Sequence, residues 1–544
     1  MKEQVTVGEV VARILEAHRV SDIYGVISIH NLPIADAIGR REKMHFVCAR
    51  GEAGAATMAD AHSRFQGLGV CLTSTGAGAG NAIGSLIEAC NAASPMLHIT
   101  GQVESAYLDR DASFIHEAKD QLTFLRAASK AAYRITHPDQ VVGILCEAIR
   151  VARTVPMGPV SVEIPIDVQA TTIDLPDNLG PIAVPAMPVA NQEELNGLLQ
   201  QLQQARRPVI WVGGGAVASV AAVTALADKG IPVLSTTHAR GLLPDAHPRS
   251  LRAFHNSPSV KQLLEDADLV LVVGSRLRSN ETASYSTEFG RPLIQVDAHP
   301  GAHNRNYQVD QFICSDSAPV LEYLAEYLPE RIDSDYDQAI TQAVVQAEST
   351  LIEQVGNYAN ICQALRDALP ADGIFVRDIT VSGSTWGSRL LPFQQPNQNI
   401  HSLAGAIGLG LAHGIGAALA NPDKKVATIV GDGGLMLGIG ELATMVQENT
   451  DMVLIVMNDG GYGVMRGIQN NYFGGRQYYN ELHTPNYAEV GKAMAMPSWQ
   501  VGSSDAFHSA IAEAIALDGP ALIEVDMTLV GPLEFAGPPQ KKLY

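Results

Sequence analysis

The sequence predicts an α/β protein of three doubly wound domains with mostly parallel sheets. Three observations carry that reading. At 544 residues the chain exceeds what a single hydrophobic core can serve. Short β-rich runs alternate with helical stretches along the whole length, the pattern of layered α/β folds. Two stretches then interrupt the alternation. Residues 168–195 hold Pro176, Pro181, Pro185 and Pro188 and little periodicity, as an extended linker does. Residues 328–356 are polar and helical, with few large apolar side chains. The domains expected are therefore 1–180, 190–335 and 355–544.

The elements follow in order. MKEQVTVGEVVARILEAHRV reads as a short amphipathic helix, and charge spread throughout it argues against an export signal. MHFVCA reads as a strand that runs into an Ala-rich helix, RGEAGAATMADAHSR (50–64). The middle third opens on the strand of RPVIWVGGGAV (207–217) and continues with DADLVLVVGSRL (266–277), a Rossmann-like pattern. VGGGAV lacks the full Gly-x-Gly-x-x-Gly spacing and the acid about 20 residues on, so a structural domain without nucleotide is expected. In the last third KVATIV (425–430), ELATMVQE (441–448) and MVLIVM (452–457) form strand, helix and strand, a βαβ unit.

Composition excludes several function classes. Hydrophobic content of 46% with 17% charged residues is that of a packed globular protein. A net charge of −20 opposes non-specific binding to nucleic acid or anionic membranes, so neither partner is expected. Cys48, Cys71, Cys90, Cys146, Cys314 and Cys362 are isolated, which argues against a zinc site or disulfide framework and fits a reducing compartment. No apolar run approaches the roughly 18 residues of a transmembrane helix. A cytoplasmic location is expected.

The chemistry concentrates around MNDGGYG (457–463). A turn alone would explain its Asn, Asp and glycines. In a parallel βαβ unit, however, the carboxyl ends of both strands lie on one edge, so Asp432 and Asp459 can meet although 27 residues apart. Two carboxylates make a hard oxygen site for Mg²⁺ or Ca²⁺. Gly431, Gly433 and Gly434 leave N–H groups bare at a helix start, which favours phosphate. Together these imply a diphosphate held through a divalent cation.

GDG, a spacer of this length and an Asn-containing turn resemble the thiamine diphosphate motif of the decarboxylase, acetolactate synthase and benzaldehyde lyase superfamily. The resemblance covers the whole chain. GPVSVEIPIDV (158–168) is similar to the close of that family's pyrimidine-binding domain, VVGSRL suits its central domain, and SLAGAIGLGLAHGIGAALA (402–420) its diphosphate-binding domain. The family often has a second Asn in the turn, where this chain has Asp459. By the family pattern, thiamine diphosphate and Mg²⁺ are the cofactors and Asp432, Asp459 and the Gly461 carbonyl the metal ligands.

The resemblance also implies roles elsewhere. Glu52, at a strand-to-helix junction and expected to be largely enclosed, matches the glutamate that activates the cofactor through its pyrimidine ring; helix N-capping is the plainer alternative. TSTGAGAGNAIGSL (73–86) is similar to the family's glycine-rich turn. Ile407 matches the bulky residue over which the cofactor bends, and the Gly405 carbonyl would accept from its amino group. Thr380 and Ser382 are candidates for the diphosphate end. His30 and His116 stand where relatives place groups facing the reacting centre, and an imidazole can move protons near neutral pH. Ser74 stands where benzoylformate decarboxylase-like members carry His, which counts against that enzyme specifically.

The expected activity is non-oxidative C–C cleavage or formation beside a carbonyl: decarboxylation of a 2-oxo acid, carboligation to a 2-hydroxy ketone, or both. The alternatives are an acyloin lyase of the benzaldehyde lyase type, a 2-hydroxyacyl-CoA or oxalyl-CoA lyase, a flavin-linked 2-oxo acid oxidase, and a silent scaffold. The resemblance implies a homodimer at least, with a homotetramer expected, because relatives build each site from two subunits. The stretch 464–479 is a candidate substrate wall or subunit interface, and the tail 530–544 either closes over the site or hangs free.

Overall fold

Three parallel sheets with helices on their faces organise the described residues, in agreement with three α/β domains. The computed structural model describes residues 2–331 and 333–535. The first sheet takes Asp22–Gly25, His45–Cys48, Gly69–Thr73, Met96–Gln102, Ala131–Arg134 and Pro159–Pro165. Numbered 1 to 6 in chain order, these strands stand side by side as 2-1-3-4-6-5. The last sheet takes Ile374–Arg377, Asn399–His401, Val426–Gly431, Met452–Asn458, Ser498–Val501 and Ala521–Asp526, and repeats the same order. The middle sheet, from Pro208–Val212 to Gln311–Cys314, runs 2-1-3-4-5. Neighbouring strands within each of the three are parallel. Each sheet reverses its winding between strands 1 and 3, where the loops at the carboxyl edge splay apart and open a crevice.

The local sequence explains the elements. Met452–Asn458 lies between two neighbours and is covered on both faces, so residues 452–457 are at most 2% exposed and read as an unbroken apolar run. Thr6 caps Val7–Ala17 by accepting from the Glu9 N–H at 3.1 Å, and Val7, Val10, Val11, Ile14 and Leu15 form its buried stripe. Ser334–Val355 buries Tyr336, Ile340, Ala343, Ala347, Leu351 and Val355 every third or fourth residue, and its use of Ala is why the stretch reads as polar. The proline-rich stretch is less plain than a linker. It begins with the short helix Ile166–Ala170, and Thr172–Asp174 pairs antiparallel with Gln4–Thr6. Three-residue strands carry no periodicity to read.

The first and last domains are joined by close helix packing. Glu52–Gln66 lies against Gly410–Ala420, and the Met58 carbonyl occupies the space a Cβ on Gly416 would need. One apolar core, including Ala55, Met58 and Ala59 from the first helix and Leu411 and Ile415 from the second, therefore runs through both domains. Among the described residues no helix is long and apolar enough to cross a membrane.

Candidate functional site

The last domain opens a cavity of about 500 Å³ at its switch point. The loop after Ile374–Arg377 contributes Thr380 and Ser382, the loop after Val426–Gly431 contributes Asp432 and Gly434, and the loop after Met452–Asn458 contributes Asp459 and Gly461. A separate arm brings Gly405 and Ile407 to the same space. Gly433 is not part of the lining; it packs beneath the Tyr462 ring, 2.7 Å from where its Cβ would stand.

The two aspartates meet as the βαβ geometry requires. Asp432 is 1% exposed, and its Oδ1 accepts from the Asp459 N–H at 3.4 Å. Its Oδ2 is buried without a hydrogen-bond partner. Burial, with the Asp459 charge adding to it, pushes the Asp432 carboxyl up to about 7. Burial also raises Asp459, against the pull of the Arg466 guanidinium. Arg466 lies 2.9 Å from Asp459 Oδ2 and donates to the Asp459 carbonyl at 2.7 Å. Two glycines of the turn are required by close approach. A Cβ on Gly463 would fall on the Asp459 carboxylate, and one on Gly461 (φ +154°) would fall on the Asn480 carbonyl. Asn458 is structural, donating to Glu524 at 2.8 Å while its own oxygen accepts from the Gly460 N–H at 3.2 Å.

These residues fit a divalent cation with a diphosphate. The orphaned Asp432 oxygen and two crowded carboxylates lower their energy by sharing a cation. Among the described residues no group of three or more His, Cys, Asp or Glu side chains could hold a metal. A cation here would complete its shell with carbonyl, ligand and water oxygens, as hard cations do. The Ser382 hydroxyl is fully buried and unpartnered beside the cavity, whereas Thr380 uses its oxygen to cap the following turn through the Gly383 N–H at 2.7 Å.

Glu52, His30 and His116 lie in the first domain and do not line this cavity. They gather around that domain's own glycine-rich turn. A Cβ on Gly78 would stand 2.6 Å from Glu52 Oε1, and one on Gly76 would fall on the His116 carbonyl. Glu52 accepts from Asn81 at 3.1 Å. It is only half-buried, less enclosed than its sequence context predicts, because the first helical turn stands at the open edge of the sheet. Nor does it cap its helix. That is done by Glu441 of the last domain, whose carboxylate accepts from the N–H groups of Arg50 (3.0 and 3.2 Å) and Gly51 (3.0 Å) and from the Thr444 hydroxyl (2.6 Å). The His30 and His116 rings are 5.2 Å apart. His30 is 3% exposed, and burial, helped by His116, lowers its pKa, while His116 is open to solvent.

In the middle domain Gly213 and Gly215 pack on Gly274 and Ser275, and Gly214 on His238, so loop packing accounts for those glycines. Residues 464–479 begin as the helix Gly463–Tyr472, whose Val464 and Met465 line the cavity. Of the tail, residues 536–544 lie outside the described residues. Sequence reasoning missed Asp378, which accepts from Gly408 N–H at 2.8 Å, and missed the buried acids Glu88 and Glu441. A lone acid inside an apolar helical run was the only signal for Glu88, and an acid after a glycine-rich stretch the only one for Glu441.

Comparison with known proteins bears on these features. Residues 5–124, 195–324 and 380–525 match the N-terminal TPP binding, central and C-terminal TPP binding domains of the thiamine pyrophosphate enzymes. The large subunit of acetolactate synthase isozyme 1 from Escherichia coli is 27% identical over 96% of this chain and 94% of its own length. The acetolactate synthase large subunit of Corynebacterium glutamicum is 26% identical over 96% of this chain and 87% of its own. A protein named as a probable 2-ketoarginine decarboxylase from Pseudomonas aeruginosa is 27% identical over 96% and 94%.

Proposed function

Because the chain belongs to the thiamine pyrophosphate enzyme family, we propose that it is a thiamine diphosphate- and Mg²⁺-dependent enzyme. In this reading it cleaves or forms a C–C bond beside a carbonyl, decarboxylating a 2-oxo acid, ligating its acyl fragment to a second carbonyl, or both. The observation that carries the reading is the cavity in which Asp432, with one buried oxygen unpartnered, faces Asp459. The names of the relatives, acetolactate synthase and 2-ketoarginine decarboxylase, support a 2-oxo acid as substrate.

Asp432, Asp459 and the Gly461 carbonyl hold the cation. Ser382 and the N–H groups of residues 431–434 meet the phosphate oxygens. Ile407 and the Gly405 carbonyl set the orientation of the bound cofactor. When bound, its thiazolium ring supplies the electron sink that no protein side chain offers. Glu52 would hydrogen-bond the pyrimidine ring of the cofactor, in a site completed by the first domain of a second copy of the chain. His30, kept uncharged at pH 7 because burial lowers its pKa, moves a proton to or from the oxygen of the substrate's reacting carbonyl, which gains a proton on addition and gives it up on release. His116, exposed beside it, exchanges that proton with solvent.

The test is release of CO2 and aldehyde from a panel of aliphatic, aromatic and guanidino 2-oxo acids, with both cofactors, alongside Glu52→Gln. Turnover is expected to need both cofactors and to fall at least about a hundredfold in the variant, the scale of general acid–base catalysis. No turnover of any 2-oxo acid, with or without an acceptor carbonyl, would refute the substrate class.

A further inference from the structure

The arm that carries Gly405 and Ile407 has little packing of its own. Ala404, Gly405 and Ile407 are exposed, and no heavy atom lies within 4 Å of where a Cβ on Gly405 would stand. Its position is therefore set by anchors at its two ends. On the carboxyl side Asp378 accepts from the Gly408 N–H at 2.8 Å. On the amino side the anchor comes from another domain. Glu88, in the helix Ile83–Ala92 of the first domain, is fully buried and turns its carboxylate onto three successive residues. Oε1 accepts from the Leu403 N–H at 2.5 Å, and Oε2 accepts from the Ser402 hydroxyl and the Ala404 N–H, both at 2.8 Å.

Glu88 shares one buried cation with a second acid. Arg64, with a side chain 5% exposed, donates to Glu88 Oε1 at 3.3 Å and to the His401 carbonyl at 2.9 Å. Asp60, on the same helix as Arg64, takes a second face of that guanidinium at 2.7 Å and the His413 ring nitrogen at 3.0 Å. Glu88 and Arg64 thus hold residues 401–404 at a carbonyl, a hydroxyl and two N–H groups, and Arg278 of the middle domain adds a bond to the Leu403 carbonyl at 3.3 Å. Hydrogen bonds to a charged partner are about twice as strong as neutral ones, and a buried carboxylate with four donors has few alternative poses.

We propose that Glu88 is a positioning residue for cofactor binding: it fixes the arm 404–407 so that the Gly405 carbonyl and the Ile407 side chain stand ready in the cavity. This rests on the reading that the cavity takes thiamine diphosphate. Glu88 touches neither the cofactor space nor the reacting atoms, and acts through Ser402, Leu403 and Ala404.

The test uses the full chain with Glu88→Gln, which keeps shape but turns one acceptor into a donor, and Ser402→Ala, which removes one bond and leaves the acid paired. Two measurements are made well below the melting temperature: hydrogen exchange over 401–409 without cofactor, and the Kd of thiamine diphosphate with Mg²⁺ by calorimetry. Glu88→Gln is expected to speed exchange at Leu403 and Ala404 and to weaken cofactor binding about tenfold or more; Ser402→Ala should weaken it by a few-fold. Turnover at saturating cofactor should change far less than the cofactor concentration giving half activity. If the wild type binds thiamine diphosphate and Ser402→Ala and any folded Glu88→Gln bind it equally tightly, the proposal is overturned. If the wild type itself binds none, the functional reading fails first and the proposal falls with it.

Discussion

Glu441→Ala gives the sharpest test of how the first and last domains hold each other. Glu441 is 4% exposed, and its pKa is raised by burial against the bonds from Thr444, Arg50 and Gly51. Removing it leaves the N–H groups of Arg50 and Gly51 and the Thr444 hydroxyl without their acceptor. An orphaned donor costs about 1–3 kcal/mol when buried, and the low end applies to the backbone groups because Arg50 is on the surface. Loss of an anion at the start of Glu52–Gln66 adds about 0.5 kcal/mol, and relief from burying the carboxylate offsets part of the sum. The net is a destabilisation of about 2.5 kcal/mol. For a cooperative unit of about 370 residues, the two domains that share this core, that lowers the transition by about 3 °C. Differential scanning calorimetry reads the shift, and hydrogen exchange over residues 48–56 reads its location. Glu441→Gln, which keeps one oxygen, should fall about halfway, and Gly54→Ala should mimic the loss because its Cβ would land on the Glu441 carboxylate. A transition within about 1 °C of the wild type, with unchanged exchange at Arg50–Glu52, would refute the reasoning.

Three further outcomes are expected. Asp459→Asn should weaken Mg²⁺ binding in the presence of thiamine diphosphate by about tenfold, partly because it strands the Arg466 charge beside the cation; adding Arg466→Gln should recover much of that in calorimetry, and purely additive effects would count against charge compensation. Ile407→Ala, which changes a side chain 38% exposed at the cavity rim, should leave the melting temperature within about 2 °C while weakening cofactor retention on gel filtration, since surface changes rarely move stability much. His98 is fully buried between Thr73 and Ser161, and burial lowers its pKa to about 4. The unfolded chain therefore takes up that proton first, and about 3 kcal/mol of stability should be lost as the pH falls from about 6.5 to 4. In urea titrations His98→Gln should flatten that slope by about 1.4 kcal/mol per pH unit, and an unchanged slope would sink the assignment.

How much of this was legible in the sequence depended on distance along the chain. The strands around 426–458 could be read because a strand covered on both faces must be an apolar run, and the parallel βαβ rule then placed Asp432 beside Asp459. The cradle residues Gly405, Ile407, Thr380 and Ser382 needed the family resemblance, since nothing local marks an exposed arm as belonging to a cavity 25 residues on. The common 2-1-3-4-6-5 order of the first and last sheets left no repeat in the sequence, because topology constrains winding and not side chains. Glu88 and Glu441 bond to residues more than 300 positions away, and the sequence showed only an acid in an apolar helix for the first and an acid at a helix start for the second. Arg466 was visible as a cation near the turn, but its partner was not.

The two buried acids cross the same seam in opposite directions. Glu88 leaves the first domain to hold residues 402–404 of the last, and Glu441 leaves the last to hold residues 50–51 of the first. Two halves with one winding pattern look interchangeable, yet this exchange makes them a matched pair in inheritance. A crossover that replaced one half with that of a distant relative would strand a buried carboxylate on one side and orphan backbone donors on the other. Recombinants in which residue 88 travels with 402–404 and residue 441 with 50–54 should be the more stable ones.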